Sequence, residues 1–361
     1  MKSMVSTKRH TTRCIKIGRV YIGGNKPVAI QSMAKTKTSD VLRTTTQIQA
    51  LQDAGCQIVR VAVRDLRDAQ AIRQIKKGIR IPLVADIHFD YRLALLAIDS
   101  GADKIRLNPG NIYKDNEVKE VVAALKQARL PLRVGVNSGS VADRNSKRMG
   151  MPARLVASAL AYVRKIEKMK FYDMVVSLKA STVRDTIEAY RAIAGSCDYP
   201  LHLGLTATGT PRQGVIKSAI ACGVLLAEGI GDTIRVSLTD DPREEVRAAQ
   251  AILEALGLGS FGPRIISCPT CGRCEVDLVR IVAELDKKLR SEGNRGWRNK
   301  SPKVAVMGCV VNGPGEAKEA EIGVAFGKHE GLLFRRGKPV RKVTRADCVS
   351  VLMNALRNDY A

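Results

Sequence analysis

Between residues 28 and 256 one pattern recurs eight times: a short run of aliphatic and β-branched residues, then a longer stretch whose apolar positions return at helical spacing. The short runs are 28–33, 57–63, 82–87, 104–108, 132–137, 173–179, 200–206 and 232–238. Helical periodicity follows each of them, at 42–51, 69–75, 93–98, 118–125, 155–166, 187–193, 215–226 and 246–256. Eight such alternations predict an α/β fold with a closed (β/α)8 barrel of the TIM type, which typically takes ~250 residues. An open, doubly wound sheet is the competing arrangement.

Helix starts are marked by residues that satisfy free backbone N–H groups: Ser39-Asp40, Asp65, Asn116 with Glu117, and Asp241 followed by Pro242. The gap 138–152 holds Gly139, Gly150 and three basic residues, and is expected as an extended loop over the barrel mouth. Three glycines and a proline give 257–263 the composition of a linker. The expected organisation is therefore a barrel over 1–256, the linker, and a smaller α+β domain over 264–361. Within that domain the pattern predicts a strand from Arg264 into Cys268, a helix at 276–289 and a strand at 303–307. Two or three strands between 322 and 343 and a final helix at 345–356 complete it.

With 45% hydrophobic residues in a chain of 361, a sizeable core is available and wholesale disorder is excluded. Sixty Lys and Arg against 35 Asp and Glu leave a net charge of +25, whereas aromatic residues make up only 4%. Such a field attracts anions, but it lacks the aromatic platforms used for single-stranded nucleic acid, so nucleic acid is not the expected partner. The longest aliphatic stretches, such as 93–98, fall far short of the ~18–20 residues of a membrane span, so no membrane association is expected. Nine cysteines without a secretory leader point to a reducing, cytoplasmic compartment, where thiols serve as core, metal ligands or nucleophiles. The first 39 residues lack Asp and Glu, a bias shared with organelle transit peptides. Patterned sequence nevertheless begins by Ile15 and leaves little room for a removable segment.

In a barrel of this type chemistry collects where the strands end. Those ends carry Arg60 and Arg64, Asp86 and His88, Arg106 and Asn108, Arg133 and Asn137, Lys179 and Ser181, His202 and Thr206, and Arg235 and Ser237. Arginine on four strands and lysine on a fifth would bury like charges unless an anion neutralised them, which points to a diphosphate. Guanidinium groups give bidentate contacts to phosphate oxygens, Lys179 a point charge, and Gly110, Gly139 and Gly204 room for backbone amides. Asp86, His88 and Glu228 are the titratable candidates for proton transfer. Glu228 follows a helix and precedes the eighth strand, so it stands formally at the wrong end.

The second domain carries Ser-Cys268-Pro-Thr-Cys271-Gly-Arg-Cys274 and, farther on, Gly308-Cys309-Val-Val-Asn-Gly313-Pro-Gly315-Glu316. A Cys-x-x-Cys pair brings two sulfurs to one metal or cluster, and Cys309 could supply a third through tertiary folding. Asn312, not cysteine, follows three residues after Cys309, so a regular zinc ribbon is absent and a cubane cluster fits better. Cys268, Cys271 and Cys274 also show ferredoxin-like spacing, which leaves Cys274 open as a ligand. Cys14, Cys56, Cys197, Cys222 and Cys348 stand alone in apolar or helical contexts and read as core residues.

These motifs resemble, in order along the chain, the family of 4-hydroxy-3-methylbut-2-enyl diphosphate synthases. The resemblance is carried by Gln31-Ser-Met33, Val84-Ala-Asp-Ile-His88, Lys104-Ile-Arg-Leu-Asn-Pro-Gly-Asn111 and Arg133-Val-Gly-Val-Asn-Ser-Gly139. It continues through Ser177-Leu-Lys-Ala-Ser181, His202-Leu-Gly-Leu-Thr206, the stretch from Glu228 to Ser237 and both cysteine motifs. It implies reductive ring opening and dehydration of 2-C-methyl-D-erythritol 2,4-cyclodiphosphate, with two electrons from flavodoxin or ferredoxin. It further implies a [4Fe-4S] cluster held by Cys268, Cys271, Cys309 and Glu316, the carboxylate being the exchangeable ligand. The family is described as a homodimer in which the partner's cluster domain closes the barrel mouth. Cys274 departs from the family pattern and is expected to be a spectator thiol, because Gly315-Glu316 is intact. The competing readings are a basic RNA-associated protein with a structural zinc site and a pterin-binding barrel of the dihydropteroate synthase type.

Overall fold

The computed structural model describes residues 9–141, 149–206, 208–292, 297 and 301–360. Residues 142–148 of the loop expected over 138–152 thus lie outside the described residues, as does Ala207. The chain divides into two compact units, Met1–Gly259 and Ser260–Ala361.

The first unit opens with a short antiparallel hairpin, β1 (Ile15–Ile17) and β2 (Val20–Ile22). Strands and helices then alternate: β3 (Ala29–Met33), α1 (Val41–Asp53), β4 (Ile58–Val63), α2 (Leu66–Gly78), β5 (Leu83–Ile87), α3 (Arg92–Asp99), β6 (Lys104–Leu107) and α4 (Asp115–Ala128). The second half continues with β7 (Leu132–Asn137), α5 (Met151–Lys168), β8 (Met174–Lys179), α6 (Val183–Ala194), β9 (His202–Leu203), α7 (Pro211–Ala227), β10 (Thr233–Ile234) and α8 (Pro242–Ala255). The eight parallel strands run in the order β8-β7-β6-β5-β4-β3-β10-β9, and a bridge between Val176 and Leu201 joins the two ends. The sheet is a closed barrel rather than an open one.

Three of the expected helix caps form as the chemistry predicts. Asp40, Asp65 and Asp241 each accept a hydrogen bond from the backbone N–H of Arg43, Asp68 and Arg243, and Pro242 occupies the first turn of α8. The fourth differs. Helix α4 starts earlier, behind Lys114, with no side-chain cap, and Asp115 and Glu117 in its first turn complement the helix dipole instead. Strands β9 and β10 are shorter than expected, two residues each, although Arg235 still donates its backbone N–H to Leu203 O at 3.0 Å. Beyond that point the chain runs close-packed through Gly204, where a Cβ would stand 2.6 Å from the Arg235 carbonyl oxygen.

The hairpin was not foreseen, and it has a structural task. Ile15, Ile17 and Ile22 pack with Ala29, Ile58, Val84 and Val175, which face the barrel axis near the N-terminal ends of their strands. The hairpin thus plugs the floor of the barrel with aliphatic side chains. No helix among the described residues is long and apolar enough to cross a membrane.

The second unit is a five-stranded sheet in the order β11 (Arg264–Ser267), β12 (Lys303–Met307), β13 (Ile322–Phe326), β14 (Gly331–Arg335) and β15 (Lys338–Val343). The first three strands are parallel and the last two antiparallel. Helices α9 (Leu278–Glu292) and α11 (Cys348–Tyr360) cover one face, where Leu285, Leu352 and Leu356 pack on Val304, Val324 and Phe326. The other face packs Ala317 and Ala320, from α10 (Gly313–Lys318) and just beyond it, on Ala305, Met307 and Phe334.

Candidate active site

Side chains of a strand alternate between its two faces, so each barrel strand sends every second residue inward. Above the aliphatic floor those residues are polar. A cavity of about 170 Å³ at the C-terminal ends of the strands is lined by Arg60, Arg106, Arg133, Lys179 and Arg235, with Asn137, Ser177, Thr206 and Ser237. Asp86 is the one carboxylate in its lining.

Asp86 holds this arrangement together. It pairs with Arg106 at 3.0 Å and with Arg60 at 3.7 Å, all three side chains being nearly inaccessible. Burial opposes its charge, but Arg60, Arg106 and Arg133 overcome that and pull its pKa down to about 2. Held between two guanidinium groups in the ligand-free cavity, it is ionised and serves as their counter-ion. Arg106 also donates to Gly135 O at 2.9 Å, and a Cβ on Gly135 would lie 2.5 Å from the Arg106 Nε, so glycine lets the guanidinium cross the neighbouring strand. Arg235 is balanced from outside by Glu245, at 3.3 Å, a buried carboxylate that also accepts from Ser32 Oγ and from the Leu238 N–H.

One counter-ion in the cavity does not balance five cations. Burial first, then the other cations, pushes Lys179 and Arg133 well below their ordinary pKa and Arg60 to about 10. Arg133 Nε and Nη1, Arg106 Nε and Arg235 Nε have no hydrogen-bond partner among the described residues. Buried donors left unpaired each cost on the order of 1–3 kcal/mol. A polyanion would satisfy them and lift the repulsion at once.

A second polar layer lies between the cavity and the floor. Lys104 is fully buried, and among the described residues its Nζ, the Gln31 amide and His202 Nε2 have no hydrogen-bond partner. Burial, then the neighbouring Arg133 and Arg60, drives Lys104 well below its ordinary pKa. Burial and the same cations keep His202 well below its own, while His202 Nδ1 meets Thr233 Oγ1 at 2.7 Å.

Eight of the eleven expected substrate ligands line the cavity, and three do not. His202 belongs to the layer beneath. Asn108 ties two loops, donating to Ser140 Oγ at 2.9 Å and accepting from the Gly110 N–H at 3.1 Å. Ser181 is exposed beyond the end of β8. Of the proton-transfer candidates, His88 stands half-buried just past β5, with Nδ1 3.2 Å from Val63 O. Glu228 is not part of the cavity. It caps the C-terminus of α7, at the opposite end of the strands, and its carboxylate is held in the ionised form by a surface pairing with Arg191 at 3.0 Å. Ser177, Lys104 and Glu245 went unforeseen. Ser177 and Lys104 each sit two residues before an expected ligand, on the same strand face, and that parity was the available signal.

The second unit gathers the cysteines by topology. Parallel strands β11 and β12 are paired with Ser267 opposite Val306, so the loops carrying Cys268 and Cys309 leave the sheet side by side. Cys268 Sγ accepts from the Gly308 N–H at 3.4 Å. Thr270 adopts a left-handed backbone, φ 59°, which turns the chain between Cys268 and Cys271. Cys309 lies at the start of the Gly308–Glu316 stretch, where N–H groups of Val311 and Asn312, and then Gly313, lower its thiol pKa. Glu316 is exposed in the first turn of α10. Cys274 turns inward: its Sγ donates to Val276 O at 3.2 Å, and a Cβ on Gly308 would stand 2.3 Å from it.

Among the described residues no three His, Cys, Asp or Glu side chains stand close enough to hold a single metal ion. An iron–sulfur cage asks for a different arrangement, with one thiolate on each iron and the sulfurs held apart. Thiols of Cys268, Cys271 and Cys309 on adjoining loops, one already acidified by backbone amides, fit that donor set.

Comparison with known proteins agrees with this division. The profile of the GcpE TIM-barrel domain matches residues 12–250, and that of the GcpE protein C-terminal domain matches residues 264–358. A 4-hydroxy-3-methylbut-2-en-1-yl diphosphate synthase (flavodoxin) of Clostridium perfringens is 52% identical over 350 residues, covering 96% of this chain and 99% of the relative. The enzyme of the same name from Fusobacterium nucleatum is 49% identical, covering 96% and 97%. Among solved structures, dihydropteroate synthase from Stenotrophomonas maltophilia matches with a TM-score of 0.53 at 14% identity, covering 68% of this chain and 98% of that one. That likeness is one of barrel fold alone, and neither the pterin reading nor the RNA-associated zinc reading finds support in the named relatives. With both domain profiles matched and half the residues shared along nearly the whole length, the chain belongs to the GcpE family.

Proposed function

We propose that this protein is a 4-hydroxy-3-methylbut-2-en-1-yl diphosphate synthase. It reductively opens and dehydrates 2-C-methyl-D-erythritol 2,4-cyclodiphosphate, taking two electrons from flavodoxin. The observation that carries the reading is the excess of buried, unpaired cationic donors inside the barrel, which a cyclic diphosphate would neutralise. Relatives that share half of the sequence carry that enzyme's name.

In this reading Arg60, Arg106, Arg133, Lys179 and Arg235 bind the two phosphoryl groups, and Asn137, Ser177, Thr206 and Ser237 complete the coordination. Asp86 stays ionised and orients Arg60 and Arg106. His88 is the proton donor near the mouth in this reading, because Asp86 is committed to two guanidinium groups and Glu228 lies at the opposite end of the strands. Nδ1 lies within hydrogen-bond distance of Val63 O, and donation would come from Nε2 of the imidazolium, in which both ring nitrogens carry hydrogen. Cys268, Cys271 and Cys309 hold a [4Fe-4S] cluster, with Glu316 as its fourth, exchangeable ligand. A cluster held there would supply electrons one at a time to the bound cyclic diphosphate. Cys274, engaged with Val276 O and packed on Gly308, is a spectator. Because the two sites belong to separate units, we propose a homodimer in which one protomer's cysteine unit serves its partner's barrel. Free thiols and a flavodoxin donor suit a cytoplasmic enzyme.

The test is anaerobic turnover of the cyclic diphosphate by cluster-reconstituted protein with an artificial reductant, following the hydroxymethylbutenyl diphosphate. Product formation is expected. No product from protein with a full complement of iron and sulfide would mean that the barrel serves another anion.

A further inference from the structure

The sheet of the second unit brings more than cysteines to one end. Met307 is opposite Ala325, Phe326 opposite Gly331, and Gly331 opposite Val343. The Cys309 loop, the turn 327–330 and the segment after β15 therefore share the tip of the sheet. They are also in contact. A Cβ on Gly327 would meet Val310 Cγ1 at 3.3 Å, and Arg345 Nη2 donates to Lys328 O at 2.6 Å.

The tip is apolar at its centre and cationic around it. Val310 and Val311, directly after Cys309, are 63% and 61% exposed, and Leu332 is exposed beside Lys342. Lys328, Arg345 and Arg273 are exposed around them, and the charge of Arg273 reaches the Cys309 thiol. Lys342 is paired with Glu330 at 3.0 Å, whereas Lys328, Arg345 and Arg273 have no ion pair among the described residues.

We propose that this tip is the docking face for the acidic, flavin-carrying electron donor, with Val310 and Val311 as its dry centre and Lys328, Arg345 and Arg273 as its steering rim. The proposal rests on the reading of the protein as a flavodoxin-dependent synthase. Electron-transfer complexes are small and short-lived, so their specificity falls to charge complementarity around a compact apolar centre. A chain of net charge +25 selects an acidic partner, and exposed valines adjoining a cluster thiol offer the shortest approach. Each docking passes one electron from the reduced flavin, which leaves oxidised by one electron. Two dockings, with two protons from solvent, convert the cyclic diphosphate to the allylic diphosphate and water.

The experiment uses the cluster-loaded, full-length protein and purified flavodoxin, measuring Kd by biolayer interferometry across a salt series, with turnover driven by flavodoxin or by dithionite. The Lys328→Glu, Arg345→Glu double variant should weaken Kd about tenfold at low salt, mainly through association rate, with the gap closing as salt rises. Val310→Ser should instead speed dissociation and leave the salt slope intact. Dithionite-driven turnover should stay within about twofold of the parent, because the rim charges act on encounter with the protein donor. An unchanged Kd in all variants overturns the docking face. Equal loss of dithionite-driven turnover overturns it, because these residues would then act where the cysteine unit serves the partner's barrel and not on the protein donor. A parent enzyme inactive with both reductants overturns the synthase reading and this proposal with it.

Discussion

The barrel and the cysteine unit prepare their sites in opposite ways. Inside the barrel, the charges are in position before any ligand arrives, fixed by strand register and held together by one carboxylate. At the tip of the second sheet, the donors are thiols on loops, which gain their charge only on deprotonation and their geometry only around what they bind. The barrel is pre-organised at the expense of its own stability, whereas the tip stores almost nothing. Substitutions should therefore affect stability and function in opposite directions in the barrel and independently of each other at the tip.

The sharpest test at the tip is Cys309→Ser, which should abolish iron loading and lower turnover by more than about a hundredfold while leaving the far-ultraviolet circular dichroism unchanged. Cys274→Ser, two loops away in sequence, should leave iron content near that of the parent. In the barrel, Lys179→Met should weaken substrate binding by about 1.5–3 kcal/mol, read as KM, yet raise the melting temperature of the ligand-free protein. Both changes falling in the same direction would break the contrast. Asp86→Asn is its mirror image. Removing the shared counter-ion should cost about 3–5 kcal/mol in denaturant unfolding and tighten the binding of inorganic diphosphate.

The same carboxylate sets a pH dependence. Because its folded pKa, about 2, is below the unfolded value, its contribution is complete above about pH 4 and is lost as pH falls towards 2. Lys104 gives a slope of the same sign in a higher pH window. Its folded pKa is well below the unfolded one, so the unfolded chain binds a proton that the folded chain does not, and stability rises with pH towards about 10. Lys104→Met should stabilise the protein at neutral pH and flatten that rise in a series of thermal melts. The smallest effect is expected for Glu228→Gln, whose exposed pairing with Arg191 lies far from the cavity: turnover should change less than about twofold.

Barrel architecture was legible because apolar runs of period two and helices of period 3.6 repeat without interruption, and Asp40, Asp65 and Asp241 punctuate them. The ring of cations was legible for the same reason, since one arginine in an aliphatic strand could pair outward with a helix carboxylate but five cations at strand ends could not all do so. What escaped was set by tertiary contact. Three-residue strands at Ile15 and Val20 carry too little period to announce a plug, and only the closed barrel gives them a floor to fill. Glu245 looks like an ordinary acid in the first turn of a helix until Arg235 and Ser32 close on it. Asp86 was seen as a carboxylate among cations, but its role turned on distance, and two guanidinium groups within salt-bridge reach make it a strut instead of an acid.

The aliphatic plug also governs traffic. With Ile15, Ile17 and Ile22 packed over the N-terminal ends of the strands, the described residues leave the cavity at the C-terminal ends as the way in, and whatever enters must back out the way it came. The product proposed here keeps both phosphoryl groups of its precursor, so it leaves past the same five cations that drew the precursor in. Departure is then a contest at the threshold: accumulating product should inhibit competitively, and the enzyme's pace should follow how quickly the next step clears the doorway.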